Sequence, residues 1–205
     1  GLPVGFTALV MVGFAAFDAL QTALFDVRPV ERRPGAANEI FTRYRRAMLE
    51  RLEQAGGEDL SMAAALMSVG TGRLFGLADL LRRAAREFAA VKTARAIPTV
   101  ALVGEIYVRC NPFCNEDVIR TIEGLGGEAW LTPITEWILY TSAMEKREGK
   151  WRGYGWGRRL GSAVKNRLMA RVEHGLFRPA LELLSDRQEP PMEDVLSEGM
   201  KYLPV

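Results

Sequence analysis

The stretch from Thr99 to Trp137 limits the fold more than any other part of the chain. Thr99 to Val103 are β-branched or aliphatic and carry no charge, which suits a strand buried on both faces, as parallel sheets require. Gly104 and Glu105 end the run, and a loop holding Tyr107, Arg109, Cys110, Asn111, Pro112 and Cys114 follows. Asn115 reads as the N-cap of a helix whose first turn holds Glu116 and Asp117, where the helix dipole favours acids. Val118, Ile119, Ile122 and Leu125 give this helix one apolar face, Gly126 stops it, and Glu128 to Leu131 form the next strand. The result is a βαβ unit with polar residues at the carboxyl end of its first strand, where open α/β sheets place their ligands.

The bulk numbers bound the rest. The 205 residues are 48% apolar, enough for a packed core in one large domain or two small ones. A net charge of +2 implies no polyanionic partner. The two cysteines, Cys110 and Cys114, follow no signal peptide and make no disulfide framework, so a reducing, cytoplasmic setting is expected. Gly1 and the abrupt Leu203-Pro204-Val205 read as cut ends, and a piece of a longer protein is expected. Residues 2–17 are uncharged, but the run holds Gly5 and Gly13 and soon meets Asp18 and Gln21. A membrane-spanning helix needs about 20 apolar residues. The run therefore reads as a buried core helix, and no membrane is expected.

Along the chain, Phe6 to Phe25 reads as a helix with Phe14, Phe17, Leu20 and Leu24 on one side. Asp26 to Gly35 is a charged turn broken by two prolines. Ala37 to Gln54 is a second helix, its face made by Ile40, Phe41, Tyr44, Met48, Leu49 and Leu52. Ser61 caps a short helix through Met67. Leu74 to Val91 has the cleanest i, i+3, i+4 pattern, with Arg82, Arg83, Arg86 and Glu87 on a solvated face. After Pro98 the character changes, which divides the chain into a mainly helical region, 1–97, and a Rossmann-like α/β lobe, 98–205, incomplete at its C-terminus. Thr132-Pro133 starts a helix whose Ile134, Trp137, Ile138 and Met144 turn inward. A loop over Lys146 to Gly157, a helix through Leu160, Val164, Leu168 and Val172, and short helices at Pro179–Leu184 and Glu193–Tyr202 complete the chain. Two or three strands are too few for a free-standing doubly wound sheet, so the sheet is expected to be completed by residues outside this chain or by strands within segments read as helical.

Three constellations could carry chemistry. In the first, Glu105 is an acid at the mouth of the sheet and Asn115 heads a helix whose free amides suit an anion. The structural alternative is that Glu105 caps a helix or pairs with Arg109. No G-x-G-x-x-G or G-x-x-x-x-G-K-[ST] is present. In the second, Cys110 and Cys114 form C-x3-C, but a zinc or iron–sulfur site needs about four ligands. With two cysteines and His174 alone, no site is complete within the chain, although one shared with a neighbour stays open. His174 has no nucleophile tied to it, so no triad is argued. In the third, Trp151, Tyr154 and Trp156 alternate with Lys150, Arg152, Arg158 and Arg159, a pattern that suits stacking and phosphate contacts, yet the small net charge makes nucleic acid an unfavoured partner.

The order of these signals resembles a known family. Asp18-Ala19-Leu20, then Arg28-Pro29-Val30-Glu31 with Gly35, resembles the D-L-L … R-P-Y-E … G passage of the activator-related proteins of 2-hydroxyacyl-CoA dehydratases, the CoA-substrate-specific enzyme activases. Val103 to Arg109, then Asn111-Pro112-Phe113 and Asn115, is similar to their V-G-E-x-Y-V-R-x-D-P-F-x-N strand and loop. Gly126-Gly127 and Pro133-Ile134-Thr135-Glu136-Trp137 are similar to the G-G … P-x-x-E-W that follows. Cys110 stands where the pattern varies, Cys114 where a small residue is usual, and Val30 replaces an aromatic.

The resemblance implies a bacterial lobe of an activase-related or dehydratase-like iron–sulfur protein. Such a protein supports ATP-driven electron transfer through a [4Fe-4S] cluster to a 2-hydroxyacyl-CoA dehydratase type enzyme. The cluster would belong to the parent protein, and the isolated piece would be catalytically silent. Gly104, Glu105, Tyr107, Arg109, Asn111 and Asn115 would line an interlobe cleft, with Cys110 and Cys114 at most accessory ligands. Partners would be the missing lobes and a dehydratase or electron-transfer subunit. The alternative is a non-enzymatic α/β scaffold or assembly module that binds a partner subunit or a nucleotide.

Overall fold

The computed structural model describes residues 4–57, 60–138, 140–141, 144, 171–172, 175–176, 192–199 and 201–202. Helix α1 (Val4–Val27) lies at its centre, in contact with three later helices and with a strand. Val12, Ala16, Ala19, Leu20 and Val27 are wholly buried, and the small side chains at 16 and 19 let neighbouring backbones come close. Phe14 is exposed rather than inward. It lies two residues from both Val12 and Ala16, about 200° round the helix from either, so the stripe they define turns it to solvent. The segment Gly5–Val30 is long and apolar enough to cross a membrane, yet most of it is buried in this core.

A 3-10 turn at Arg28–Val30 leads to α2 (Ala36–Ala55). The Glu31 carboxylate accepts hydrogen bonds from Gly35 N at 2.6 Å and Ala37 N at 2.7 Å, capping α2 from outside the helix. Ile40, Tyr44 and Met48 are buried as expected, whereas Leu49 is exposed. Helix α3 (Met62–Gly70) is capped by Ser61, whose Oγ accepts from Ala64 N at 3.1 Å.

The next helix starts later than its periodicity suggests. Leu74–Gly76 form a separate 3-10 turn, and α4 runs from Leu77 to Val91. Leu74, Phe75 and Gly76 have φ of 47°, 57° and 82°. The chain turns by 79° between α3 and the segment from Leu74. Burial of Leu74 and Phe75 offsets the strain. Ser68 Oγ accepts from Phe75 N at 2.7 Å, and Arg51 Nε donates to Phe75 O at 3.1 Å, pinning the corner. Beyond it, Leu77, Leu81, Ala84, Ala85 and Phe88 form the expected buried face of α4.

Strands β1 (Thr99–Leu102) and β2 (Glu128–Leu131) pair in parallel, Thr99 opposite Glu128 and Leu102 opposite Leu131. Their crossover holds α5 (Ile106–Cys110) and α6 (Val118–Gly124). The expectation that β1 is buried on both faces is overturned: Thr99, Val100 and Ala101 are exposed. β2 packs against both α1 and α6 and takes most of the cover, with Ala129 and Leu131 buried and Trp130 turned out. Residues 134–138 are helical, but Trp137 is exposed, not inward. Another helix, α7 (Met192–Gly199), overlaps the stretch expected at Glu193–Tyr202, starting one residue earlier. Val172 and Leu176 are buried in the main core. The Lys146–Gly157 loop, His174, the Pro179–Leu184 helix and most of the helix expected around Leu160–Val172 lie outside the described residues.

The chain is thus a mixed α/β protein, mostly helical, with a small parallel sheet. A charge pair ties its parts together. Arg28 Nε and Nη2 grip the Glu123 carboxylate of α6 at 2.7–2.9 Å, with both side chains under a tenth exposed.

Candidate cleft at the carboxyl ends of the strands

The turn after β1 is made by Gly104, exposed and at φ 132°, a value that favours glycine. Glu105 follows as the N-cap of α5, its Oε2 accepting from Val108 N at 3.0 Å. The structural alternative for Glu105 is therefore what is seen; it caps a helix and does not pair with Arg109. Tyr107 and Phe113 are 80% and 92% exposed. Asn111 Oδ1 accepts from Phe113 N at 3.0 Å, an Asx turn that fixes the loop.

Asn115 holds the loop at both ends, but not as the N-cap. Its Nδ2 donates to the carbonyls of Val108 and Arg109 at 3.1 and 3.0 Å, while its Oδ1 takes a long 3.4 Å bond from Val118 N. With that amide turned back to α5, helix α6 starts only at Val118. Glu116 and Asp117, expected in its first turn, have φ of 53° and 56° instead. Glu105 and Asn115 thus serve one α5–loop–α6 unit, and Tyr107 projects from it while Arg109 is half-buried.

Behind this unit lies a crevice of about 10 Å³, room for one water, lined by Asp18, Gln21, Thr22, Phe25, Cys110 and residues 131–134. The Asp18 carboxylate, on α1 and 6% exposed, accepts from both the backbone N and Oγ1 of Thr135 at 2.8 Å. A side chain of the first helix thereby caps the helical residues that follow β2. Burial raises the Asp18 pKa, against the lowering effect of the bonds from Thr135 and Ile134. Burial likewise raises Glu136, with the Arg109 charge opposing it. Arg109 Nε is buried without a hydrogen-bond partner.

Asp18 belongs to the passages singled out above, but its place at this crevice was not foreseen. The one signal for Asp18 was an acid inside an otherwise apolar helix, which must find donors when buried. Thr135 is 117 positions away, beyond the reach of any local pattern.

Cys110 is half-buried against the core and Cys114 is exposed. Burial raises the Cys110 pKa, with Arg109 pulling it down and Asp18 and Glu105 pushing it up. Among the described residues no three His, Cys, Asp or Glu side chains gather to hold a metal ion. Two cysteines also fall short of the four thiolates that a [4Fe-4S] cluster takes, so these residues do not fit a complete cluster. Because the thiolate is the reactive form, iodoacetamide at mildly alkaline pH should label Cys114 at least tenfold faster than Cys110. Peptide mass spectrometry over time reads this directly, and equal rates would contradict the placement of Cys110.

No family model, curated protein or solved structure matches this chain.

Proposed function

We propose that this chain is a Rossmann-like lobe of a multi-lobe, cytoplasmic, activase-related or 2-hydroxyacyl-CoA dehydratase-like protein, whose strand–helix–strand unit forms one wall of an interlobe cleft. In that role it supports ATP-driven electron transfer to the CoA-thioester enzyme, the cluster being held mainly by other parts of the parent. The observation that carries this reading is the convergence of the resembling passages. Asp18 of the first bonds Thr135 of the last, and Arg28, also of the first, grips α6, which leads from the middle passage to Gly126-Gly127. Residues that would face an adjoining lobe, Tyr107 and Phe113, are almost fully exposed aromatics. Exposed apolar groups set close together are a usual mark of a docking surface.

The second reading, a scaffold or assembly module without redox chemistry, is favoured by the cysteines. One is half-buried and the other exposed, with no third metal-binding side chain gathered beside them among the described residues.

Anaerobic reconstitution of the parent protein with iron and sulfide separates the two. The first reading expects a brown protein with thiolate-to-iron charge-transfer absorption. A colourless protein that still holds its partner subunit supports the second. In either case Tyr107→Ser with Phe113→Ser should weaken docking while leaving the unfolding midpoint of this chain unchanged. Unaltered docking would remove the cleft from both readings.

A further inference from the structure

Strand β1 is a sheet edge with nothing to blunt it. It pairs with β2 on one side, and among the described residues no strand lies on the other. Thr99, Val100 and Ala101 are exposed, and so is Val103 just beyond the strand. Open edges usually carry a charge, a bulge or a proline that bars a second strand. Thr99–Val103 hold no charge, and Pro98 faces the wrong way to serve. Its carbonyl accepts from Glu128 N at 2.8 Å, so residue 98 turns its backbone groups toward β2, as Val100 and Leu102 do by alternation. Ala101 therefore presents its N–H and C=O to the open edge.

The charges that flank this run are arranged symmetrically. Arg95 lies five residues before Val100 and Glu105 five residues after it, and both are exposed. Arg95 has no ion-pair partner among the described residues, and Glu105 engages Oε2 in its cap of α5. An antiparallel copy of the strand, related by a two-fold axis at Val100, brings each Arg95 to the end where Glu105 of the other copy lies. The same axis sets Ala101 opposite Thr99 of the other copy, in a hydrogen-bonded position, with Ala101 N–H donating to the Thr99 carbonyl. A register that sets Ala101 opposite Val100 fails, because the Val100 groups are turned to β2. The next one, Ala101 opposite Ala101, sets Glu105 against Ile97 and forfeits the charge match. Backbone and charge thus choose one register.

We propose that β1 pairs antiparallel with β1 of a second copy of this chain, joining two two-stranded sheets into one of four strands. The β2 strands, packed against α1 and α6, become the outer pair, so the contact closes at two copies. This goes beyond the lobe reading and does not rest on it.

Sedimentation velocity of the chain over a range of micromolar concentrations tests it, and a reversible monomer–dimer equilibrium is expected. Arg95→Glu, which sets acid against acid at both ends, should weaken the dimer by about tenfold or more. Ala101→Pro, which removes the edge N–H, should abolish it; Arg95→Glu serves if that variant does not fold. The register has its own readout in a Cys114→Ser background. Val100→Cys should cross-link to its counterpart on mild oxidation, because residues facing each other across a non-hydrogen-bonded pair lie within disulfide reach. Leu102→Cys, placed opposite Pro98 of the other copy, should not. A monomer at every concentration would overturn the proposal and leave this edge to a strand of another lobe or protein. A dimer in which Val100→Cys does not cross-link, or which Arg95→Glu and Ala101→Pro leave unchanged, would overturn it as well. Tyr107→Ser with Phe113→Ser should leave the dimer intact, so this contact and the docking surface fail or stand separately.

Discussion

Truncating either member of the Arg28–Glu123 pair is expected to cost about 3–5 kcal/mol of folding stability, the range for leaving one charge of a buried pair uncompensated. The two side chains are 9% and 8% exposed, and Arg28 makes three contacts of 2.7–2.9 Å to the carboxylate. This geometry separates the pair from the surface bridges of the same chain, such as Arg82–Asp79, where both partners are well exposed and little stability is at stake. Arg28 also lies over the Phe25 ring at 5.3 Å and reaches Asn38 at 3.3 Å, so Arg28→Ala removes packing as well as charge. Glu123→Ala strands the guanidinium, whereas Arg28→Ala leaves Glu123 a weaker partner in Arg120 at 3.4 Å. Glu123→Ala is therefore the more damaging of the two. The double variant Arg28→Met with Glu123→Leu should recover most of the loss, because apolar groups of similar volume avoid the desolvation cost altogether. Urea unfolding of the four proteins compares these losses directly. Single-variant losses below about 1 kcal/mol, the level of exposed pairs, would show that the pair is open to solvent.

How much of this was legible beforehand depends on how far each interaction reaches along the chain. The α4 face from Leu77 to Phe88 follows a 3.6-residue period, and local pattern alone places it. The β1–β2 pairing was readable because an uncharged run, a polar crossover and Gly126-Gly127 follow one another within one short unit. The corner at Leu74–Gly76 was not, because the apolar spacing runs on through residues that bury themselves with left-handed backbone. The start of α6 was misplaced for a related reason. Asn115 has the chemistry of a cap, but its amide is taken up by the α5 carbonyls, and a cap preference cannot announce which competitor wins. The exposure of β1 depends on what packs over it, which no property of Thr99–Val103 encodes. Glu105 shows the same limit on the functional side: an acid after a strand reads equally as a ligand contact or a helix cap, and the bond to Val108 N decides for the cap.

Asp18→Ala is expected to destabilise the fold by about 2–4 kcal/mol, because it orphans two buried donors at once and leaves a gap in α1. Thr135 N and Thr135 Oγ1 both end on the same carboxylate at 2.8 Å. Asp18→Asn keeps an acceptor oxygen and should lose less than half as much. The two variants also differ from wild type in their response to pH, and the sign follows from the direction of the shift. Burial makes Asp18 hold its proton more tightly in the folded chain than in the unfolded one. The folded state then binds more protons across the window between the two pKa values, so stability falls as pH rises through it. The contribution is complete below about pH 4, the ordinary carboxyl range, and is lost as pH climbs through the raised folded value. Asp18→Asn has no proton to release and lacks this part of the slope, so its deficit should be widest in acid and shrink toward neutral pH. Glu136, also raised by burial, adds a slope of the same sign that survives in Asp18→Asn and disappears in Glu136→Gln. Unfolding curves at a series of pH values from mildly acid to neutral test this. A wild-type stability that climbs with pH over that range, with the Asp18→Asn deficit widening, would mean that this carboxylate sits in a solvated, charge-stabilising site and not in the core of the joint between α1 and the sheet.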